Sequence, residues 1–138
     1  MIQDSLAHIH KTCDEIFCTF EELVHQNRWD EAETTFADFR TQTLAHLDFE
    51  EQVLFPAFEQ ASGIPREQGP TGVMIAEHKQ IRDYIEAIGE ALEQRQSERC
   101  LDLGDTLMIT IGQHNMKEEH ILYPMCDEHL DADILKQS

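Results

Sequence analysis

The stretch "HLDFEEQVLFP", residues His46–Pro56, returns in altered form as "HNMKEEHILYP", residues His114–Pro124. In both copies a glutamate follows the histidine by four positions and a proline follows it by ten. The two copies are offset by 68 residues, and the same offset carries His10 onto His78. A repeat of this length and regularity indicates that a pair of helices has been duplicated.

Helical periodicity dominates the chain around this repeat. Apolar residues recur at steps of three and four, and no alternating strand pattern is present. The spacing predicts four long amphipathic helices, at about residues 4–26, 30–60, 71–95 and 97–124, and a short tail helix near Asp131. Such segments with short connections are typical of a bundle. We therefore expect an all-α fold, an up-down-up-down four-helix bundle with a short C-terminal tail helix, in one domain over residues 1–138.

Several residues predict where helices begin and end. Asp30, with Glu33 three residues later, has the pattern of a capping box, and Ser97 is a candidate N-cap for the fourth helix. The two repeat copies end in Pro56 and Pro124, and a proline inside a helical pattern ends or kinks the helix.

The composition limits the classes of partner. The 138 residues include 28 acidic and 10 basic side chains, a net charge of −18, which disfavours nucleic acid and anionic membranes. The first residues, "MIQDSLAHIH", do not resemble a signal peptide, and the apolar stretch "LMITIG" is too short to span a membrane. The four cysteines form no C-x-x-C pair, which favours reduced thiols and a cytoplasmic location.

Histidines and glutamates interrupt the apolar stripes of the predicted helices. His46 and Glu50 lie in the stripe of the second helix, and His114 and Glu118 in that of the fourth. The full second stripe is Phe36, Phe39, Thr43, His46, Glu50, Val53 and Ala57. The full fourth stripe is Leu101, Met108, Ile111, His114, Glu118, Ile121 and Met125. On the third helix His78 is in line with the apolar residues, whereas His10 flanks the stripe of the first.

Buried polar groups of this kind indicate a metal site. Two ionised glutamates in a core would each cost several kcal/mol unless they were paired or coordinated to a cation. Residues four apart on a helix share one face, so each His-x-x-x-Glu can direct both side chains to one point. The predicted metal ligands are His10, His46, Glu50, His78, His114 and Glu118.

Six such ligands suit two metal ions better than one. Each ion would take two histidines and one oxygen of each glutamate, leaving space for an oxo or hydroxo bridge and an open position. Open positions admit exogenous ligands such as O2, NO, azide or peroxide. The mixture of imidazole and carboxylate favours two iron ions, with manganese or zinc as alternatives.

These residues resemble the hemerythrin family in its HHE cation-binding branch. The resemblance is carried by the six candidate ligands and by the phrases "FEEQVLFPAFE" and "HNMKEEHILYPM", and it covers about residues 5–130. It implies a four-helix bundle with a non-haem di-iron centre used for reversible O2 binding, sensing or iron-linked roles. The O2 carriers have a second histidine four residues from the one on the third helix, where this chain has Met74 and Arg82.

The resemblance also raises a question of register on the fourth helix. The carriers place the acid five residues after the histidine, which here is Glu119, whereas the internal repeat and the apolar stripe favour Glu118. Glu51 and Glu119 are then either acceptors for the N–H groups of ligand histidines or exposed to solvent.

Three functional classes follow from these patterns. The favoured one is a di-iron protein that binds O2 or a related small ligand as carrier, sensor or iron-homeostasis module. A sensor would need a separate protein partner, whose identity the sequence leaves unknown. The alternative is a di-iron oxidase or peroxidase, and a metal-free adaptor is disfavoured by the buried carboxylates. Tyr123 is expected in the core or at a cap, and four histidines are expected at the surface: His8, His25, His120 and His129.

Overall fold

The computed structural model describes residues 1–137, and every regular element in that range is helical. Six α-helices run in chain order: α1 Ile2–His25, α2 Trp29–Phe49, α3 Phe55–Ser62, α4 Pro70–Glu93, α5 Ser97–Lys117 and α6 Tyr123–His129. Two π-helical turns, Glu50–Leu54 and Glu118–Leu122, join α2 to α3 and α5 to α6. Short 3₁₀ segments occupy Arg66–Gln68 and Ala132–Gln137.

The four long rods of the bundle are α1, α2 with α3, α4, and α5 with α6. α1 packs on α2 and α5, and α4 packs on the same two helices, so the rods close around one interior. Short connections between successive rods make them antiparallel neighbours. The expected all-α bundle is confirmed, and its tail segment is a 3₁₀ helix that begins at Ala132.

The two tight turns between rods repeat one backbone conformation. Asn27 has φ 55° and Arg95 has φ 53°, and these residues are related by the 68-residue offset. The predicted caps were misplaced beside these turns: the N-caps are Arg28 and Gln96, and neither makes a side-chain capping bond. Because the left-handed residue reverses the chain directly, the next helix starts earlier than the Asp30 and Ser97 pattern indicated.

The two prolines do not end their rods. Proline lacks the N–H that would bond four residues back, and a turn of wider hydrogen bonding precedes each one. The N–H of Phe55 bonds to the Glu50 carbonyl and that of Tyr123 to the Glu118 carbonyl, each five residues back. Each rod therefore continues beyond its proline, and both π turns begin at a glutamate of the predicted site.

The π turns change which residues face the core. Each adds a residue relative to α-helical spacing, so a stripe extrapolated with α periodicity slips by one position. Ile121 is 55% exposed where it was predicted in the core, whereas Leu122 is buried. On the second rod Leu54 and Phe58 are buried in place of the predicted Val53 and Ala57, which are partly exposed.

Two apolar clusters fill the bundle interior. The larger contains four phenylalanines and three isoleucines of α4: Phe17, Phe20, Phe36, Phe39, Ile81, Ile85 and Ile88. It also buries Cys100 and Leu107, whereas the predicted Leu101 and Met108 are half-buried. The smaller contains Ile2, Leu6, Phe55, Phe58, Met74 and Tyr123. Along every rod the predicted site residues lie between the segments that build the two clusters, so the bundle holds a polar layer between two apolar ones.

Two further features concern the cysteines and the hydropathy of the helices. All four cysteines are free, three of them buried and Cys18 exposed. Over residues 1–137, none of the helices combines the length and apolar character needed to cross a membrane.

Candidate metal centre

The structure brings all six sequence-predicted side chains together in the bundle interior. Each is less than 10% exposed, and the Glu50, His78 and Glu118 side chains are fully buried. We call this set the His/Glu cluster; its members are His10 on α1, His46 on α2, Glu50 at the first π turn, His78 on α4, His114 on α5 and Glu118 at the second π turn.

The ligand atoms of the His/Glu cluster fall into two groups. Group I comprises Glu50, His78, His114 and Glu118, and group II comprises His10, His46 and Glu118. Within each group, one potential ligand atom per residue lies within 4.8 Å of all the others. Glu118 belongs to both groups, so its carboxylate stands where it could be shared by two cations.

The distances within the groups are those of side chains converging on a point. In group I, Nε2 of His78 lies 3.0 Å from Glu50 Oε1 and Nε2 of His114 lies 3.2 Å from Glu118 Oε1. In group II, Nε2 of His10 lies 3.2 Å from Glu118 Oε1 and 3.1 Å from Nε2 of His46. All four imidazoles therefore turn Nε2 inward.

The arrangement is less symmetric than the sequence predicted. Both glutamates were expected to serve both positions, but only Glu118 is common to the two groups. Glu50 Oε1 is 3.0 Å from His78 Nε2 and 3.6 Å from His46 Nε2, while Glu50 Oε2 accepts a hydrogen bond from the Tyr123 hydroxyl at 2.5 Å.

Acidic side chains orient three of the four imidazoles from outside. Nδ1 of His10 lies 2.8 Å from Glu119 Oε2, and Nδ1 of His78 lies 2.7 Å from Glu51 Oε2. An ionised carboxylate can only accept, so each Nδ1 carries a hydrogen, which leaves Nε2 as the atom that a cation would use. Glu51 and Glu119 are therefore acceptors for the N–H groups of candidate ligand histidines, which was the first of the two alternatives predicted for them.

His114 has an outer partner that the sequence reasoning missed. Its Nδ1 donates to Glu77 Oε1 at 2.9 Å, and Glu77 Oε2 also accepts from Lys117 Nζ at 2.5 Å. The corresponding first-half position is Ile9, so the repeat gave no signal for this contact. His46 consequently has no outer acidic partner, and its Nδ1 is buried without a hydrogen bond among the described residues.

Basic side chains hold two of the outer carboxylates ionised. Arg82 Nη1 lies 2.6 Å from Glu51 Oε2. Although partial burial opposes it, the hydrogen bond from Arg82 lowers the pKa of Glu51, and the bond from Lys117 likewise lowers the pKa of Glu77. Group I therefore has two outer carboxylates with cationic partners, whereas the first-half counterpart of Arg82 is the acidic Asp14.

The electrostatics of the inner groups set the two buried glutamates apart. Burial, followed by the nearby Glu118 charge, raises the pKa of Glu50 well above its usual range. Burial acts the same way on Glu118, but the imidazoles of His10, His114 and His78 around its carboxylate outweigh it and hold the Glu118 pKa well below the usual range. Burial and the adjacent His10 lower the pKa of His46 to about 3, which keeps that imidazole neutral.

Several buried polar atoms of the cluster have no hydrogen bond among the described residues: Glu50 Oε1, Glu118 Oε2, His78 Nε2 and His114 Nε2. Unsatisfied buried groups of this kind are rare and each costs about 1–3 kcal/mol or more. Lone pairs of imidazole and carboxylate that converge without donors match the ligand preference of a divalent or trivalent metal ion. The residues present therefore fit a bound cation pair.

A pocket reaches the His/Glu cluster from one side of the bundle. It encloses about 350 Å³ of empty space, part of it open to solvent, and borders His10, His46 and His114. Its walls also include Cys13, Thr43, Ile81 and Ile111. Asp14 and Asn115 also border the pocket, but most of the surface that lines it is apolar, which suits a small uncharged molecule.

The family comparison agrees with this geometry. The sequence profile described as hemerythrin HHE cation binding domain matches residues 1–126. The chain belongs to the hemerythrin HHE cation-binding family. No curated protein and no solved structure gives a significant match to it. In this hemerythrin-family chain the His/Glu cluster is accordingly the place where metal binding is expected.

The other histidines of this hemerythrin-family bundle lie outside the cluster. His8, His25, His120 and His129 are exposed, as expected. Tyr123 is buried, as expected, but its hydroxyl lies inside the cluster, and that placement was missed. The sequence did contain a signal for it. The 68-residue offset pairs Tyr123 with Phe55, and the two side chains differ only by the tyrosine hydroxyl.

Proposed function

We propose that the protein holds two iron ions in the His/Glu cluster and uses them to bind a small ligand such as O2, NO or peroxide. Manganese and zinc are the alternative metals. The observation that carries the proposal is the convergence of four Nε2 atoms and two buried carboxylates into two groups that share Glu118. The proposed ligands are those predicted from the sequence: His10, His46, Glu50, His78, His114 and Glu118.

The protein's contribution would be to fix the ligands before the metal arrives. Glu119, Glu51 and Glu77 hold three imidazoles with Nε2 directed inward, which reduces the conformational freedom lost on binding. The apolar layers above and below exclude water and strengthen every charge interaction in the site. A pair of iron ions there would supply reversible ligand binding or electron exchange.

The pocket beside the cluster supports a small and uncharged exogenous ligand. Its walls contain Ile81 and Ile111 but no lysine or arginine among the described residues that would bind an extended anionic substrate. A carrier, a sensor or an iron-homeostasis role fits such a pocket. The rival proposal, a di-iron oxidase or peroxidase, uses the same position and differs in whether the small ligand is released unchanged.

Histidine substitutions test the proposed ligand set. His46→Ala and His114→Ala should each lower the iron content of the purified, iron-loaded protein by at least one ion per chain, because each removes an Nε2 from one group. His8→Ala and His25→Ala are matched controls on exposed positions and should keep the wild-type content. Iron is measured by elemental analysis against protein concentration. Equal loss in all four variants, or none in any, would contradict the assignment.

Spectroscopy of the loaded protein separates the two functional classes. A carrier or sensor of O2 should change its visible absorption on exposure to air and recover the starting spectrum after degassing. An oxidase or peroxidase should instead be oxidised irreversibly and consume peroxide over many turnovers. An iron-loaded protein that responds to none of O2, NO and peroxide would exclude both.

A further inference from the structure

We propose that the phenol oxygen of Tyr123 is a fourth protein ligand of the metal position formed by His10, His46 and Glu118. The inference rests on the proposed function, since it requires a cation at group II. It makes the two metal positions chemically different: group I has two histidines and two carboxylates, and group II has two histidines, one shared carboxylate and one phenolate.

The position of the Tyr123 hydroxyl carries this proposal. Its oxygen lies 2.9 Å from Glu118 Oε1, 3.2 Å from His10 Nε2 and 3.3 Å from His46 Nε2. These three atoms belong to the three residues of group II. The hydroxyl therefore stands at comparable short distances from all three members of the group that has one ligand fewer.

The distances match those between neighbouring ligands of one metal ion. With metal–ligand bonds of about 2.1 Å, adjacent ligand atoms of an octahedral or tetrahedral ion are separated by ~3.0–3.4 Å. The three separations around the Tyr123 oxygen, 2.9–3.3 Å, fall close to that range. The hydroxyl thus lies where a vertex of the group II coordination shell would be.

The internal repeat shows what packing alone requires at this position. Phe55 corresponds to Tyr123, and its ring stacks on His78 with centroids 5.7 Å apart and planes 23° apart. The Tyr123 ring stacks on His10 in the same way, at 5.7 Å and 29°. A phenylalanine therefore satisfies the packing in one half, and the hydroxyl in the other half needs a separate explanation.

The environment of the hydroxyl gives that explanation. Tyr123 is fully buried, and its hydrogen-bond partners among the described residues are Glu50, Glu118, His10 and His46, all members of the cluster. Without metal the phenol donates to Glu50 Oε2. A cation bound at group II would replace that proton, which would leave to bulk water, since metal binding to protonated ligands releases protons.

The test compares ferric spectra of wild type, Tyr123→Phe and Tyr84→Phe. A ferric ion bound to a phenolate has a strong visible charge-transfer band, and Raman excitation within that band enhances tyrosine ring vibrations. Tyr84 is the one other tyrosine of the chain and lies on α4 outside the cluster, so it is the matched control. We expect the band and the ring vibrations in wild type and Tyr84→Phe, and their complete loss in Tyr123→Phe.

Iron content read on the same samples separates this inference from the proposed function. Tyr123→Phe should retain the ion at group I and lose or weaken the one at group II, with circular dichroism unchanged because Phe55 shows that the ring alone packs. Two irons per chain with no tyrosine-dependent band or ring vibration in wild type would overturn the Tyr123 proposal and leave the di-iron site intact. Failure of wild type to bind iron would overturn both.

Discussion

Glu118→Gln is expected to abolish binding at both metal positions. Glu118 is the one residue common to group I and group II, and both of its carboxylate oxygens face cluster histidines. Glutamine preserves the size and the helix but removes the charge that binds a hard cation. We expect a loss of affinity exceeding the ~10–100-fold that follows removal of an outer hydrogen-bond partner.

The neighbouring glutamates provide a graded series of controls. Glu50→Gln should remove the group I ion and retain the group II ion, because Glu50 belongs to one group alone. Glu119→Gln changes an adjacent side chain that contacts His10 from outside, and it should keep both ions with weaker binding at group II. Isothermal titration with ferrous iron under anaerobic conditions measures the number of sites. Full binding by Glu118→Gln would refute the shared position of this carboxylate.

Removal of metal is expected to lower the melting temperature by a large amount. The cluster places two carboxylates and four imidazoles in a core where several of their atoms have no hydrogen bond among the described residues. A cation bound to the folded state alone adds its binding free energy to stability, about 4 kcal/mol when free metal is ~1,000 times Kd. Two ions would add about 8 kcal/mol, which for a chain of this size corresponds to a Tm increase of ~20–30 °C.

Differential scanning calorimetry of iron-loaded and chelator-treated protein measures this effect. Glu118→Gln serves as the control, since a variant that binds no metal should melt at one temperature under both conditions. The bundle itself should persist without metal, because two apolar clusters, built around Phe17 and Phe39 at one end and Phe55 and Phe58 at the other, flank the site. An identical Tm for wild type with and without iron would contradict a metal bound among these residues.

The sequence was sufficient for the fold and for the position of the cluster. Steps of three and four between apolar residues predict helices wherever an amphipathic face must be buried, and this chain follows that rule over four long segments. The polar residues inside those stripes, above all His46 and Glu50 with their counterparts His114 and Glu118, could be identified because burial makes them costly. The 68-residue offset then related the two halves.

The register beyond the two glutamates could not be read from periodicity. Each rod passes through a π turn at Glu50 or Glu118, and the added residue moves the buried face from Ile121 to Leu122. Single-sequence periodicity assumes one helical geometry throughout, so it carried the wrong phase past each turn. The prolines six residues after each glutamate indicate that the regular α-helical hydrogen bonding is interrupted nearby. A proline is equally compatible with the end of a helix and with a π turn, so it did not identify the change of register.

The asymmetry of the site depended on contacts between distant segments. Glu77 on α4 reaches His114 on α5, and Arg82 on α4 reaches Glu51 at the first π turn. These pairs are 37 and 31 residues apart and have no counterpart at the repeat offset. A repeat analysis emphasises what two halves share, and the features that distinguish them, including the Tyr123 hydroxyl, appear only once the rods are packed.

Anomalous X-ray diffraction from crystals of the iron-loaded protein, recorded above and below the iron absorption edge, tests the central claim most directly. The account predicts two strong peaks inside the bundle, one among Glu50, His78, His114 and Glu118 and the other among His10, His46 and Glu118. A single peak, peaks confined to the acidic surface, or an interior without anomalous signal would contradict it.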